Sequence, residues 1–198
     1  MPRTKEQFAQ LREKKRDTIL KTAIKLFSRK GYENTSINDI AKAAKISTGL
    51  TYHYFTSKQK ILEELINQWL QMADNIFNEF LCHDDPFDKM KYGIEAVFNL
   101  LESNKELWKL YISFVAQPGI LKKVKKMAVS NTQEYMKTLE AILSDLGFKN
   151  PEIESRFVDV FLDGIWLNYF MSEEDFPLSD MKEFLLQRYS KKGIAKLL

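Results

Sequence analysis

Cysteine, histidine, proline and glycine are all scarce in this chain of 198 residues, with 1, 2, 5 and 7 copies. The single thiol, Cys82, excludes an intrachain disulfide, and nothing in the sequence calls for an oxidising compartment. Alternating β-branched runs are nearly missing and helix breakers are few, which argues against a sheet-rich fold and for helices throughout. No long hydrophobic run exists either. The most apolar stretch, Phe157 to Met171, is interrupted by Asp159, Asp163 and Asn168, so a membrane span of about 18 residues is excluded. The opening residues, MPRTKEQFAQ, lack the apolar centre of a secretion signal, and a soluble cytoplasmic protein is expected. Catalysis has little to stand on. There is no nucleophile elbow, phosphate loop or metal-ligand spacing, and Cys82, His83, Asp84 and Asp85 are too crowded for one tetrahedral site. No enzyme activity, metal or cofactor is expected.

What is present is 44% apolar residues, enough for a genuine core, and a charge distribution hidden by a net of +3. Residues 1–60 hold 14 Lys+Arg against 5 Asp+Glu, or +9; residues 61–198 hold 16 against 22, or −6. Such asymmetry is expected when one end of a protein meets a polyanion and the other does not.

Periodicity and breakers predict an all-α chain of about nine helices. From about Arg12 to Lys30, the positions Ile19, Leu20, Ala23, Ile24 and Phe27 form one stripe, ending at Gly31 where a left-handed C-cap belongs. Ser36 and Asp39 make a capping box for a short helix containing Ile37, Ile40, Ala41 and Ala44. Ser47 can cap a second short helix through about Tyr54, and Thr56 or Ser57 starts a long one that ends near His83–Pro86. Pro86, Pro118, Pro151 and Pro177 then separate segments 87–102, 105–117, 120–146, 152–171 and 179–189.

Two short helices joined by a three-residue turn, with another helix following, describe a helix-turn-helix. Ala41, Ala43 and Ala44 keep the first helix small enough for the second to lie close. Ser47-Thr48-Gly49 puts short polar groups and an unobstructed backbone at the N-terminal end of the second, where base edges and phosphates lie. Tyr52, His53 and Tyr54 offer groups for phosphate, Phe55 anchors inward, and Lys58 stands at the next helix N-terminus, which already attracts anions. Residues 31–62, GYENTSINDIAKAAKISTGLTYHYFTSKQKIL, resemble the DNA-binding domain of TetR-type transcriptional repressors. The resemblance implies a three-helix N-terminal domain, here 1–58, and a helical ligand-binding and dimerisation domain, here 59–198. By position it implies that Ser36 holds a phosphate and that Asn38 reaches a base or the backbone. Thr48, Gly49 and Leu50 would face base edges, while Tyr52, His53, Tyr54 and Lys58 would mainly hold phosphates. The family usually has Gly where Lys45 stands, so Lys45 is expected near left-handed geometry at a cost of about 1 kcal/mol. Thr51 stands where an apolar residue is common. The basic cluster Arg12, Lys14, Lys15 and Arg16 lies ahead of this element and can also meet phosphate.

Beyond residue 59, aromatic residues with polar handles suggest an apolar effector pocket, with Phe77, Trp108, Tyr111, Tyr135, Trp166 and Tyr169 as candidates. Lys122, Lys123, Lys125 and Lys126 read as a solvated helix face, with attraction of an anionic ligand such as an acyl-CoA as the sharper alternative. The helix over 152–171 is apolar on two faces; its second face, with Phe157, Phe161, Phe184 and Leu185, suits a four-helix homodimer interface as in the resembled family. The expected function is a homodimeric repressor that binds a near-palindromic double-stranded operator and is released by an unknown small-molecule effector. The alternatives are an effector-independent or architectural DNA-binding protein, and a helical enzyme or interaction module with an incidental helix-turn-helix.

Overall fold

The computed structural model describes residues 5–103, 105–117, 119–172 and 176–198; residues 1–4 and Pro118, read above as a helix break, lie outside them. Among the described residues there are ten helices and no strand. They are α1 (Lys5–Lys30), α2 (Ile37–Ala44), α3 (Thr48–Tyr54), α4 (Lys58–Leu81), α5 (Pro86–Ser103), α6 (Lys105–Val115), α7 (Ile120–Asp145), α8 (Pro151–Met171), α9 (Leu178–Arg188) and α10 (Lys191–Ile194). Nine are substantial, as the periodicity predicts; the tenth is a single turn capped by Ser190, too short to leave a periodic signal. α1 begins seven residues before the expected Arg12. The apolar stripe marks burial rather than helix length, and the exposed first half is built from strong helix formers such as Glu, Gln, Lys and Arg.

The chain divides into two compact units, Met1–Leu70 with Leu110–Lys125, and Gln71–Lys109 with Lys126–Leu198. The first therefore takes in the start of α4 and the α6–α7 junction, whereas the sequence reading expects the boundary at residue 58. Its interior is the α1 stripe Ile19, Leu20, Ala23, Ile24 and Phe27, closed by Ile37, Ile40 and Ala41 of α2, Phe55, and Ile61, Leu62, Leu65 and Ile66 of α4. Phe27 stacks on Phe114 at 5.7 Å and meets Tyr32 edge-on at 5.1 Å. Gly31 ends α1 at φ +86°, its N–H donating to Phe27 O at 3.0 Å, which only glycine does without strain.

In the second unit, Met90, Ile94, Phe98 and Leu101 of α5 pack with Ile142, Leu143 and Leu146 of α7, Val158 and Ile165 of α8, and Leu178, Leu185 and Tyr189 at α9. Pro86 and Pro151 open α5 and α8, and Pro177 precedes α9, so three of the four prolines expected at breaks stand at helix starts. Glu154 of α8 accepts hydrogen bonds from Arg188 at 2.7 Å and from the Tyr189 hydroxyl at 2.6 Å, tying α8 to the end of α9. Among the described residues no helix is long and apolar enough to cross a membrane, and no group of His, Cys, Asp and Glu is placed to hold a metal.

Candidate nucleic-acid interface

The expected caps shape the first unit's α2–turn–α3 element. Asp39 N–H donates to Ser36 Oγ at 3.1 Å, and Ser36 N–H and Oγ–H donate back to Asp39 Oδ2 at 2.9 and 2.6 Å. Those bonds to the ionised form hold the Asp39 carboxyl below its usual pKa. At the turn, Lys45 has φ 57° and ψ 39°, the left-handed geometry expected where the family has glycine. Its N–H still reaches Lys42 O, so the α2 C-terminus is satisfied. Ser47 caps α3 by accepting from Leu50 N–H at 3.3 Å. Thr51 is fully buried in an apolar setting, and its hydroxyl donates to Ser47 O at 3.1 Å, so the polar atom costs little there.

The result is a recognition helix whose first turn is open. Gly49 has ordinary backbone angles for its helix and no heavy atom within 4 Å of where a Cβ would stand. Neither torsion nor internal packing therefore asks for glycine at this position. Asn38, Ser36 and His53 are exposed, Tyr52 is half exposed, and Thr48, Leu50 and Tyr54 are partly buried, with His53 edge-on to Tyr54 at 5.9 Å. Ser36, Tyr52, Ser57 and Lys58 line a common groove of about 510 Å³ between the start of α2 and the start of α4.

Two basic side chains have internal duties instead of the free ones expected. The Lys58 ammonium donates to Tyr32 O at 2.8 Å and Glu33 O at 3.3 Å, and lies 4.3 Å from the centre of the Tyr32 ring. Two of its three donors thus hold the α1–α2 turn, a duty beside the phosphate role expected of it. Arg16 is drawn inward by Glu64 at 2.6 Å and lies over the Phe55 ring at 5.7 Å, whereas Arg12, Lys14 and Lys15 are exposed. Gln117 also belongs here, although nothing in the local sequence marks it. Its amide accepts from Tyr32 N–H at 2.9 Å and donates to Phe27 O at 2.6 Å, clamping the same turn from the α6–α7 junction.

The pocket candidates are sorted differently by the structure. Phe77 meets Tyr135 at 4.3 Å, and the Tyr135 hydroxyl bonds to Asp74, which also accepts from Asn131 at 2.7 Å. Burial, with the bond to Asp74, pushes the Tyr135 phenol up to about 12. Trp108 and Trp166 form a separate edge-to-face pair at 4.9 Å; Trp108 is 3% exposed and its indole N–H donates to Leu100 O. Tyr169 packs against Phe170 and Phe176, while Tyr111 belongs to the first unit and not the second. Of the dimer candidates, Phe157 and Phe184 are exposed and Phe161 partly buried. Leu185 is fully buried in the second unit's own core and is removed from that surface.

Residues 19–65 match the model described as "Bacterial regulatory proteins, tetR family". Over 107 residues the chain is 35% identical to an uncharacterized HTH-type transcriptional regulator, YuxN, of Bacillus subtilis, covering 54% of this chain and 36% of YuxN. It is 30% identical over 113 residues to IcaR of Staphylococcus epidermidis, the HTH-type negative transcriptional regulator of the biofilm operon icaADBC, covering 54% of this chain and 56% of IcaR. The similarity thus spans about a third to just over half of the length of these curated relatives. In fold the likeness is wider: the transcriptional regulator FadR from Bacillus subtilis, solved in complex with stearoyl-CoA, superposes with a TM-score of 0.66 at 18% identity, covering 89% of this chain and 97% of FadR. These matches speak against an incidental helix-turn-helix. Motif, cap geometry and the family match agree that residues 19–65 form a helix-turn-helix domain of the TetR type.

Proposed function

We propose that this protein is a cytoplasmic repressor that binds operator DNA as a homodimer and is released when a small ligand occupies the region 59–198. The observation that carries the reading is the open first turn of α3, where a glycine with no internal reason to be glycine stands between exposed polar groups. Thr48, Gly49 and Leu50 face base edges; Ser36, Tyr52, His53 and Tyr54 hold phosphates, with Lys58 bracing the turn beside them. Asn38 serves a base or the backbone.

Dimerisation is supported by α8. Ile153, Val160 and Met171 are each about 70% exposed (69, 67 and 73%) on one side of this helix, with Phe157 beside them and Gly164 leaving room for close approach. Ile153, Phe157, Val160 and Gly164 border a shallow groove of about 660 Å³. A monomer gains nothing from such a stripe, whereas a two-fold copy buries it and sets two recognition helices about 34–36 Å apart on a near-palindrome.

For the effector we propose an acyl-CoA, the class held by the FadR structure of similar fold. A ligand weakens DNA binding only through its different affinity for two states, commonly about 1–3 kcal/mol, or roughly 5- to 150-fold. The test is to select genomic fragments bound by the protein and titrate stearoyl-CoA into the complex. Release at least about fivefold easier is expected. Failure to enrich any fragment refutes the repressor reading; ligand binding without change in DNA affinity refutes the effector response and favours an effector-independent regulator.

A further inference from the structure

The first unit carries more positive charge than its helix-turn-helix accounts for. It holds 17 Lys+Arg against 7 Asp+Glu, and the segment 110–125 adds three lysines and no acid. Those lysines open α7. Ile120 and Val124 are buried, which turns Lys122, Lys123 and Lys125 outward. Lys123 is not placed at random on that surface. Its ammonium lies 5.1 Å from the centre of the Tyr32 ring, the same ring that carries the Lys58 ammonium at 4.3 Å.

We propose that Lys123, with Lys122 beside it, extends the nucleic-acid surface onto α7 and contacts backbone phosphates flanking those met by the helix-turn-helix; this rests on the DNA-binding reading above. Continuity is the first argument. Ser36, Tyr52 and Lys58 line one groove, Lys58 lies on Tyr32, and Lys123 lies on Tyr32 too, so the basic and hydroxyl groups form one track. Electrostatics is the second. Two ammonium groups within about 5 Å of one ring repel each other; of the two carboxylates that act on that ring, Glu33 is exposed to solvent and Glu63 already binds Lys60 at 2.7 Å and Gln59 at 2.9 Å. A phosphate supplies further counter-charge. If Lys123 only packs on Tyr32, its loss lowers stability and leaves DNA binding with the same salt dependence.

Salt dependence separates the two roles, because each phosphate contact contributes about 0.9 to the slope of log K against log salt, whatever the sequence. Binding of the full chain to a random duplex of about 40 base pairs is measured from low to moderate salt, for the unaltered protein, K122Q/K123Q, and the control K137Q/K149Q. The control removes the same charge from exposed positions in the second unit. The proposal expects K122Q/K123Q to flatten the slope by about 1.8 and the control to leave it unchanged. Should the double variant melt early, K123Q alone is expected to flatten it by about 0.9. A slope for both lysine variants equal to the control's overturns the proposal while leaving the DNA-binding reading intact. No binding by the unaltered protein overturns both.

Discussion

Gly49→Ala separates a glycine kept for the fold from one kept for a partner. In the fold, the added methyl meets nothing within 4 Å and the backbone needs no left-handed angle. Alanine should then be tolerated, and by restricting the unfolded chain it should raise stability by about 0.5–1 kcal/mol at this early helical position. For a chain of this size that is about 1–4 °C in the melting midpoint. Against DNA the same methyl projects from the first turn of the recognition helix. Where backbone lies in van der Waals contact with a partner, an extra carbon forces a displacement of the kind that costs about 1–3 kcal/mol in packed interiors. Converted at about 1.4 kcal/mol per tenfold, operator affinity should fall roughly 5- to 150-fold. Thermal melting and fluorescence anisotropy on a selected genomic fragment measure the two effects on one preparation. Opposite signs are the expected outcome. Unchanged or tighter DNA binding would show that Gly49 does not sit at the contact, and a lowered midpoint would show that the glycine serves the fold after all.

Lys45→Gly tests the strained turn: relief of left-handed geometry, about 1–2 kcal/mol, offset by glycine's greater unfolded entropy, should leave a net gain of about 0.5–1 kcal/mol in denaturant unfolding. An unchanged or lower stability would mean that the turn imposes no strain on lysine. Val160→Glu tests the α8 face. Because Val160 is mostly exposed in the single chain, the melting midpoint of a monomer should be unaffected, while sedimentation at micromolar concentration should show loss of the dimer. A variant that still sediments as a dimer would place the interface elsewhere.

The legible features were those whose partners lie within a few residues. Ser36 and Asp39 are three apart, Gly31 and Phe27 four, and Ser47 and Leu50 three, so residue type and spacing alone specify the caps that frame the helix-turn-helix. The left-handed geometry at Lys45 was readable only through the family resemblance, which has glycine at that position. The charge asymmetry needed only counting. Residue type also marked Trp108 for a pocket and Leu185 for a dimer face, but an apolar side chain says that it is covered and not what covers it. Packing decided that Leu185 joins the second unit's core instead of a dimer face, and that Trp108 points its N–H at Leu100 O.

What the sequence by itself determined, then, is the all-α class, the recognition element and its basic setting, because helix signals and net charge are local or additive. Tertiary structure alone decided how that element is held. Gln117 reaches Tyr32 and Phe27 across 85 and 90 residues, Lys58 reaches Tyr32 O across 26, and Arg16 is taken from solvent by Glu64. None of these pairs has a spacing that a pattern can register. A long polar side chain chooses between water, a nucleic-acid phosphate and a distant carbonyl only when folding brings that carbonyl within about 3 Å, where the hydrogen bond becomes available.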